Sequence, residues 1–544
     1  MKLMKSLLLG SAAGLCAVAG AQAADLPTRK AVPVEYVRVC TAQGAGFFFI
    51  PGTDTCLRVG GRARFEYQYV SNRTRNSDVS GFRGLGRLNI DARTQTAFGT
   101  LRAFVRFEIH SRTGAQLTSG TQQRYANAFP GLGQDTFGRA QKYVEVDKAF
   151  IQFAGFTAGR ASSFYDFYAH DLEFSGLTVG SDVASTNLLA YTFTFGQGFS
   201  ATLSMEDPIA RRNPTFAFTP TIGTATSGNT STGSANIFLG QIAPTPVGLT
   251  FAANGTPLSA INIDVAQRNH LPDFVGAVRY DAPWGAAQVS AAVHELRTGN
   301  FVTGAFAVNG GAVPAGAPVA RVPDAEYGYA VQGGLKLNMP AIGTGDVLWL
   351  QAAYAEGAGS YTGIYVPQGS ESLGATYTNR FSGTNVPGGY DMAVDTNGRT
   401  HLTTSWSGTA AYLHYWAPEW RQAFFGSYGR TEFDRALRGA ASPLIGVFAA
   451  PGGIPAATAS GPGGIFSGFA KDYSNVVAGS NLVWSPVKDL DIGVEALYQR
   501  IEFLGGASNG RVIDSNKPVT VGGVPRTVKV DDNVIVRMRV QRDF

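Results

Sequence analysis

The sequence predicts an all-β fold, a 16-stranded antiparallel transmembrane β-barrel with short turns on one side and long loops on the other. Three observations predict it. Segments of about ten residues alternate apolar and polar side chains, the pattern of a strand with one face on lipid and one on water. Beyond residue 23, no stretch reaches the roughly 18 consecutive apolar residues that a spanning helix needs. The composition is balanced: 15% charged, 11% aromatic, 68 glycines, with a mean hydropathy of −0.01. Only helices and closed barrels satisfy every backbone group inside a bilayer, so excluding the helix leaves the barrel.

The elements follow in chain order. Lys2 and Lys5 precede an apolar run from Leu7 to Ala19, and Ala21-Gln22-Ala23 supplies a small-x-small cleavage pattern. Residues 1–23 therefore read as a secretory signal peptide, too short for an anchor. Residues 24–56 form a periplasmic or loop segment, and 57–544 the barrel domain. Cys16 lies in the leader, and Cys40 and Cys56 remain. In an oxidising compartment they are expected to form one disulfide, worth about 3 kcal/mol in chain entropy. The rival, a two-cysteine metal site, has no histidine near either residue.

In the first strand Leu57, Val59, Ala63, Phe65, Tyr67 and Tyr69 share one face, against Arg58, Arg62, Arg64, Glu66 and Gln68. The second sets Leu88, Ile90 and Ala92 outward and Arg87, Asn89, Asp91 and Arg93 inward. The third opposes Leu101, Ala103, Val105, Phe107 and Ile109 to Arg102, Arg106, Glu108 and His110. Tyr191, Phe193 and Phe195 reverse at Gly196-Gln197-Gly198 into Phe199, Ala201, Leu203 and Met205. Continued along the chain, the pattern places strand starts near residues 57, 84, 100, 146, 157, 186, 199, 273, 286, 326, 346, 405, 420, 473, 489 and 531. Sixteen strands leave an aqueous lumen, whereas eight are filled by side chains. The stretches 208–272, 297–325, 357–404, 430–470 and 501–530 are rich in Gly, Ser, Thr, Pro and Ala and read as extracellular loops. Trp284, Trp349, Trp406, Trp416, Trp420 and Trp484 suit interfacial girdles. In the last strand Val534, Val536, Met538, Val540 and Phe544 oppose Ile535, Arg537, Arg539, Gln541 and Asp543. An alternating strand closed by an aromatic, Phe544, resembles the assembly signal read by the bacterial barrel-insertion machinery.

Other classes are disfavoured. A net charge of +5 over 544 residues gives no footprint for nucleic acid. No Gly-x-Ser-x-Gly elbow, His-Glu-x-x-His helix or Walker loop occurs, and the six histidines are dispersed. No enzyme activity, cofactor or metal is expected.

Four segments resemble the porin family of alphaproteobacteria, the rhizobial type of outer-membrane general porin. They are Val39-Cys40 with Gly46-Phe47-Phe48-Phe49-Ile50-Pro51-Gly52-Thr53-Asp54-Thr55-Cys56-Leu57-Arg58-Val59; Pro272-Asp273-Phe274-Val275 with Arg279-Tyr280 and Ala282-Pro283-Trp284-Gly285; His414-Tyr415-Trp416 with Trp420-Arg421; and Trp484-Ser485-Pro486-Val487-Lys488-Asp489-Leu490-Asp491. The first and last are specific. The resemblance implies a homotrimer in the outer membrane among lipid and lipopolysaccharide, with the third loop folded into the pore.

Such a channel filters by radius and wall charge. The inward arginines Arg58, Arg62, Arg64, Arg87, Arg93, Arg102 and Arg106 form a candidate basic wall. The candidate third loop follows Gly159-Arg160, carries Asp166, Asp171 and Glu173, and has Phe174-Ser175-Gly176 as a possible tip. Facing charges of opposite sign across a neck create a transverse field that favours polar solutes. Passive general diffusion is the expected function. The alternatives are a sugar- or amino-acid-specific channel, which an aromatic track along the lumen favours, and a non-conducting adhesin barrel.

Overall fold

The computed structural model describes residues 38–71, 79–114, 141–182, 185–213, 215–218, 222–223, 238–239, 245–251, 257–263, 267–299, 301–302, 306–307, 320–321, 323–364, 389–394, 399–435, 437, 471–505, 507–514 and 526–544. The expected leader, 1–23, and much of the expected external loops lie outside them. The chain forms two compact units that divide between Arg58 and Val59.

In the N-terminal unit a two-residue strand, Phe48–Phe49, pairs antiparallel with Cys56-Leu57. Cys40 and Cys56 form the expected disulfide, their Cα atoms 5.9 Å apart, and both are buried beside Phe47.

The second unit carries the closed antiparallel barrel of sixteen strands. The strands are β1 (Thr55–Val70, which begins in the N-terminal unit), β2 (Ser80–Thr96), β3 (Gly99–Gly114), β4 (Gln141–Phe153), β5 (Phe156–Ala161), β6 (Thr186–Phe195), β7 (Phe199–Glu206) and β8 (Asp273–Ala282). They continue as β9 (Gly285–Leu296), β10 (Glu326–Asn338), β11 (Val347–Glu356), β12 (Thr404–Ala417), β13 (Trp420–Glu432), β14 (Tyr473–Val487), β15 (Leu490–Phe503) and β16 (Val530–Asp543). The starts follow the sequence expectation. The largest difference is β4, expected near 146 and found from Gln141, because its outer part continues the ladder with β3 up to Arg112↔Gln141. Each strand pairs with the next, and β16 returns to β1 in the register Arg62↔Asp543 through Val70↔Ile535. Closure removes every sheet edge, as a bilayer demands.

The alternation has a physical consequence: the barrel is inside out. Phe65 is 48% exposed while its neighbour Glu66 is fully buried. Phe107, Ile109, Leu203 and Val289 likewise face outward, and Glu108, His110, Ser204 and Gln288 are enclosed. Exposed charges at outward positions, such as Lys142 and Arg542, sit near strand ends, whereas an Arg at the bilayer midplane costs about 2–4 kcal/mol.

The chain end is seated by a small residue. Phe544 exchanges backbone hydrogen bonds with Gly61, at 2.9 and 3.1 Å. A Cβ on Gly61 would lie 2.5 Å from the Phe544 ring and 2.4 Å from the Arg87 carbonyl oxygen.

The described residues of the third long connection, 162–182 and 185, fold into the lumen. Loop backbone groups meet polar side chains of successive wall strands. Tyr165 O accepts from Ser290 Oγ and Gln332 Nε2, both at 2.8 Å. Tyr168 N donates to Gln351 Oε1 (3.0 Å), and Val179 N to Ser427 Oγ (2.7 Å). Thr409 Oγ1 donates to Val179 O (2.6 Å), and Asn481 Nδ2 to Leu172 O (2.7 Å). Wall glycines give the loop side chains room: a Cβ on Gly334 would sit 2.2 Å from the Phe167 ring, and one on Gly493 2.7 Å from that of Phe174. Trp349, read as a girdle residue, is buried instead. It points inward and packs against Phe167 at 5.2 Å. Trp284, Trp406, Trp416, Trp420 and Trp484 do lie exposed on the barrel.

Parts of the long external connections also pack inward. Arg211 is buried against Tyr361, its guanidinium 4.0 Å from the ring centroid, and Tyr361 Oη donates to Asp273 Oδ2 at 2.7 Å. Asp391 accepts from Asn213 Nδ2 (2.9 Å) and Gly359 N (2.8 Å).

Candidate functional site

Where the inserted loop approaches the wall, a cavity of about 520 Å³ remains. Its wall side is basic because inward positions of β1, β2, β3 and β16 carry arginines at the two-residue spacing of a strand. Arg62, Arg64, Arg87, Arg106 and Arg539 all line it. Each guanidinium is tied down. Arg62 Nε and Nη2 reach Asp543 at 2.5 and 3.0 Å. Arg64 donates twice to Gln541 Oε1, at 2.9 and 2.6 Å. Arg87 pairs with Glu108. Arg106 reaches Asn89 Oδ1 at 2.9 Å and Asp147 Oδ2 at 3.2 Å. Arg539 bridges Glu66 (2.7 Å) and the Phe174 carbonyl of the loop (2.8 Å). Such bonds restrict the rotamers of long side chains and hold the charges in place.

The remaining predicted arginines lie elsewhere. Arg93 and Arg102 share the Asp91 carboxylate, at 2.8 and 3.0 Å, toward the short β2–β3 turn. Arg58 belongs to the N-terminal unit, its guanidinium 5.9 Å from the Phe47 centroid.

The three loop carboxylates have three different surroundings. Asp171 is exposed and lines the cavity. Glu173 also lines it but is buried, and it accepts from the backbone N–H groups of Leu177 (3.0 Å) and Thr178 (3.2 Å) and from the Thr178 hydroxyl. Asp166 is turned away, paired with buried Arg211 at 2.9 Å and accepting from Ser181 Oγ at 2.5 Å. The expected tip is a real anchor point. Phe174 N and Ser175 N donate to Glu495 at 2.5 and 2.8 Å, and Arg537 Nη1 donates to Phe174 O at 2.9 Å.

Other lining residues were not singled out from the sequence. Arg421, paired with Asp491 at 2.6 Å, adds a cation from β13. Lys148 contacts Ser162. His170 sits in the loop with both ring nitrogens hydrogen-bonded, Nδ1 to Asp182 (3.1 Å) and Nε2 to the Thr178 carbonyl (2.7 Å). Burial opposes charging this ring. The charges of Glu173 and Asp182, with the Thr178 carbonyl, outweigh burial and lift its pKa to about 9. Arg539 had a signal in the sequence, its inward parity in the last strand. Closure puts that strand beside the first.

The arrangement suits electrostatic filtering. Wall arginines and the exposed Asp171 of the loop line one cavity, where charge interactions exceed those on an open surface.

Comparison with known proteins gives the family. The family model described as "Porin subfamily" matches residues 25–524. The porin Omp2b of Brucella canis is 35% identical over 211 residues, covering 37% of this chain and 54% of that protein. Omp2b of Brucella melitensis is 34% identical over the same length. The chain thus spans about half the length of the curated relatives it matches. Among solved structures, the outer membrane channel DcaP of Acinetobacter baumannii aligns with a TM-score of 0.49 at 14% identity, over 91% of this chain and 99% of that one. The chain belongs to the porin subfamily and is a closed β-barrel of the outer membrane.

Proposed function

We propose that this chain is a general diffusion porin, passing ions and small hydrophilic solutes passively and with weak selectivity. The observation that carries the reading is the lumen cavity. A sixteen-stranded barrel is wide enough for water, and beside its inserted loop lies a cavity of about 520 Å³ lined mainly by charge. The constriction is set between Arg62, Arg64, Arg87, Arg106, Arg421 and Arg539 on the wall and Asp171 on the loop. Glu173 and Asp166 act through the shape of the loop. Among the described residues the cavity lining is mainly charged and lacks the run of aromatics that a sugar-specific channel uses. Phe544, on its Gly61 seat, is proposed as the feature through which the barrel-insertion machinery recognises the last strand. The family resemblance supports a homotrimer.

The test is single-channel conductance of refolded barrel in a planar lipid bilayer. Ohmic steps in groups of three support an open trimeric pore, and a salt gradient reads its charge preference. Protein that is barrel-folded by circular dichroism yet gives no steps overturns diffusion and favours an adhesive barrel. Saturation of the current by one solute favours a specific channel.

A further inference from the structure

We propose that Glu108, His110 and Glu145 form a binding site for one divalent transition-metal ion, of which Zn²⁺ is the probe. The three side chains face inward from β3 and β4, and all are buried, at 2%, 1% and 5% exposure. The ladder sets Glu108 directly opposite Glu145, and Arg87 of β2 opposite Glu108. Like charges paired across a sheet destabilise it, and burying them adds a desolvation cost. Arg87 balances Glu108. No Arg or Lys among the described residues pairs with Glu145. Its Oε1 touches His110 Nε2, while its Oε2 is buried with no hydrogen-bond partner among the described residues.

The donor atoms converge. His110 Nε2 lies 3.0 Å from Glu145 Oε1 and 3.2 Å from Glu108 Oε2. One ligand atom from each residue lies within 4.8 Å of the others. An ion bound at about 2.0–2.2 Å by nitrogen and oxygen sets its neighbouring ligands roughly 3.0–3.5 Å apart. One imidazole with two carboxylates suits zinc and its first-row neighbours better than Ca²⁺ or Mg²⁺, which take nearly all-oxygen shells. Three protein ligands leave a position for water. The ion would cancel the Glu108–Glu145 repulsion and clip β3 to β4. Glu108 is also the partner of Arg87, which lines the cavity, so occupancy would add positive charge next to the wall. Nothing in the sequence advertised this site, because Glu145 is distant in the chain and reaches the other two only through barrel register.

The competing arrangement is a metal-free bridge in which the His110 Nε2–H is shared between both carboxylates, and the experiment separates the two. Untagged, EDTA-treated barrel is titrated with ZnCl₂ by calorimetry and bound metal is counted after gel filtration. The expected result is one zinc per chain, weakened more than tenfold in His110→Ala, since even outer-shell changes cost about 10–100-fold. Glu145→Gln serves as a second variant that keeps side-chain volume if His110→Ala fails to fold. Co²⁺ substitution should give visible d–d absorption in wild type and lose it in either variant. If folded wild-type barrel retains no more zinc than Glu145→Gln and shows no such band, the proton bridge stands and the metal site is overturned.

Discussion

The two sides of the proposed constriction are built on different backbones, and they differ in how they place charge. On the strand side parity decides everything. Arg62, Arg64, Arg87, Arg106 and Arg539 reach the cavity because alternate residues of a strand share a face. On the loop side, three acidic residues within eight positions meet three fates: Asp171 open to the cavity, Glu173 folded onto the loop's own N–H groups, Asp166 sequestered by Arg211. A regular backbone converts sequence position into direction. An irregular loop must first satisfy its own polar groups, and its carboxylates are recruited for that before any is left for the pore.

The comparison is broken most strongly by releasing the loop while leaving the wall intact. Glu495 receives the two N–H groups of the loop tip from a fully enclosed position. Glu495→Ala strands buried donors, a loss on the order of 3 kcal/mol in loop anchoring. Larger and noisier single-channel currents are expected, with the wall arginines untouched. Currents identical to wild type would mean that the tip is held by Arg537 and Arg539 alone.

A second experiment sharpens the difference among the loop carboxylates. Asp171→Lys should shift the reversal potential in a salt gradient toward anions and leave the thermal midpoint in place, because the residue is exposed. Glu173→Lys should lower the midpoint, since it leaves loop N–H groups unpaired and buries a new cation. Equal effects of the two on selectivity, without loss of stability, would show that both carboxylates face the pore.

The loop also carries a pH dependence, through His170. The folded-state pKa of His170, about 9, lies above its ordinary value near 6.5. Its protonated form therefore contributes stability fully below about pH 6.5, and that contribution is lost as pH rises through 9. Current fluctuations in wild type should increase between pH 7 and 10, and His170→Gln should flatten this dependence. A wild-type trace equally quiet at pH 10 would remove the His170–Asp182 contact from the anchoring of the loop.

How far each region was readable follows from the same contrast. Sixteen strands, their starts and the inward arginines follow from the period-two pattern, and β16 closes on β1 in a register the alternation permits. Trp349 defeated that reading, because a lumen crossed by a loop offers an apolar surface that a water-filled one lacks. The roles of Asp166 and Glu173 were unreadable for another reason. Their partners, Arg211 and the Leu177–Thr178 amides, are chosen by loop conformation, which no periodicity encodes. His170 and Arg421 were missed because a lone charged residue announces nothing until the barrel brings its neighbours around it.

The smallest expected effect tests whether parity alone is enough. Arg102 is inward-facing like Arg106 four residues on, yet it pairs with Asp91 toward the short turn and does not line the cavity. It is about a quarter exposed, so the pair contributes less than about 1 kcal/mol. Arg102→Ala should leave the reversal potential within error, whereas Arg106→Ala should move it toward cations. Height along the barrel, as well as face, then decides which inward charge acts on a permeating ion. An equal shift from both substitutions would mean that the field is spread along the whole basic wall, and the narrow neck would no longer be where selectivity arises.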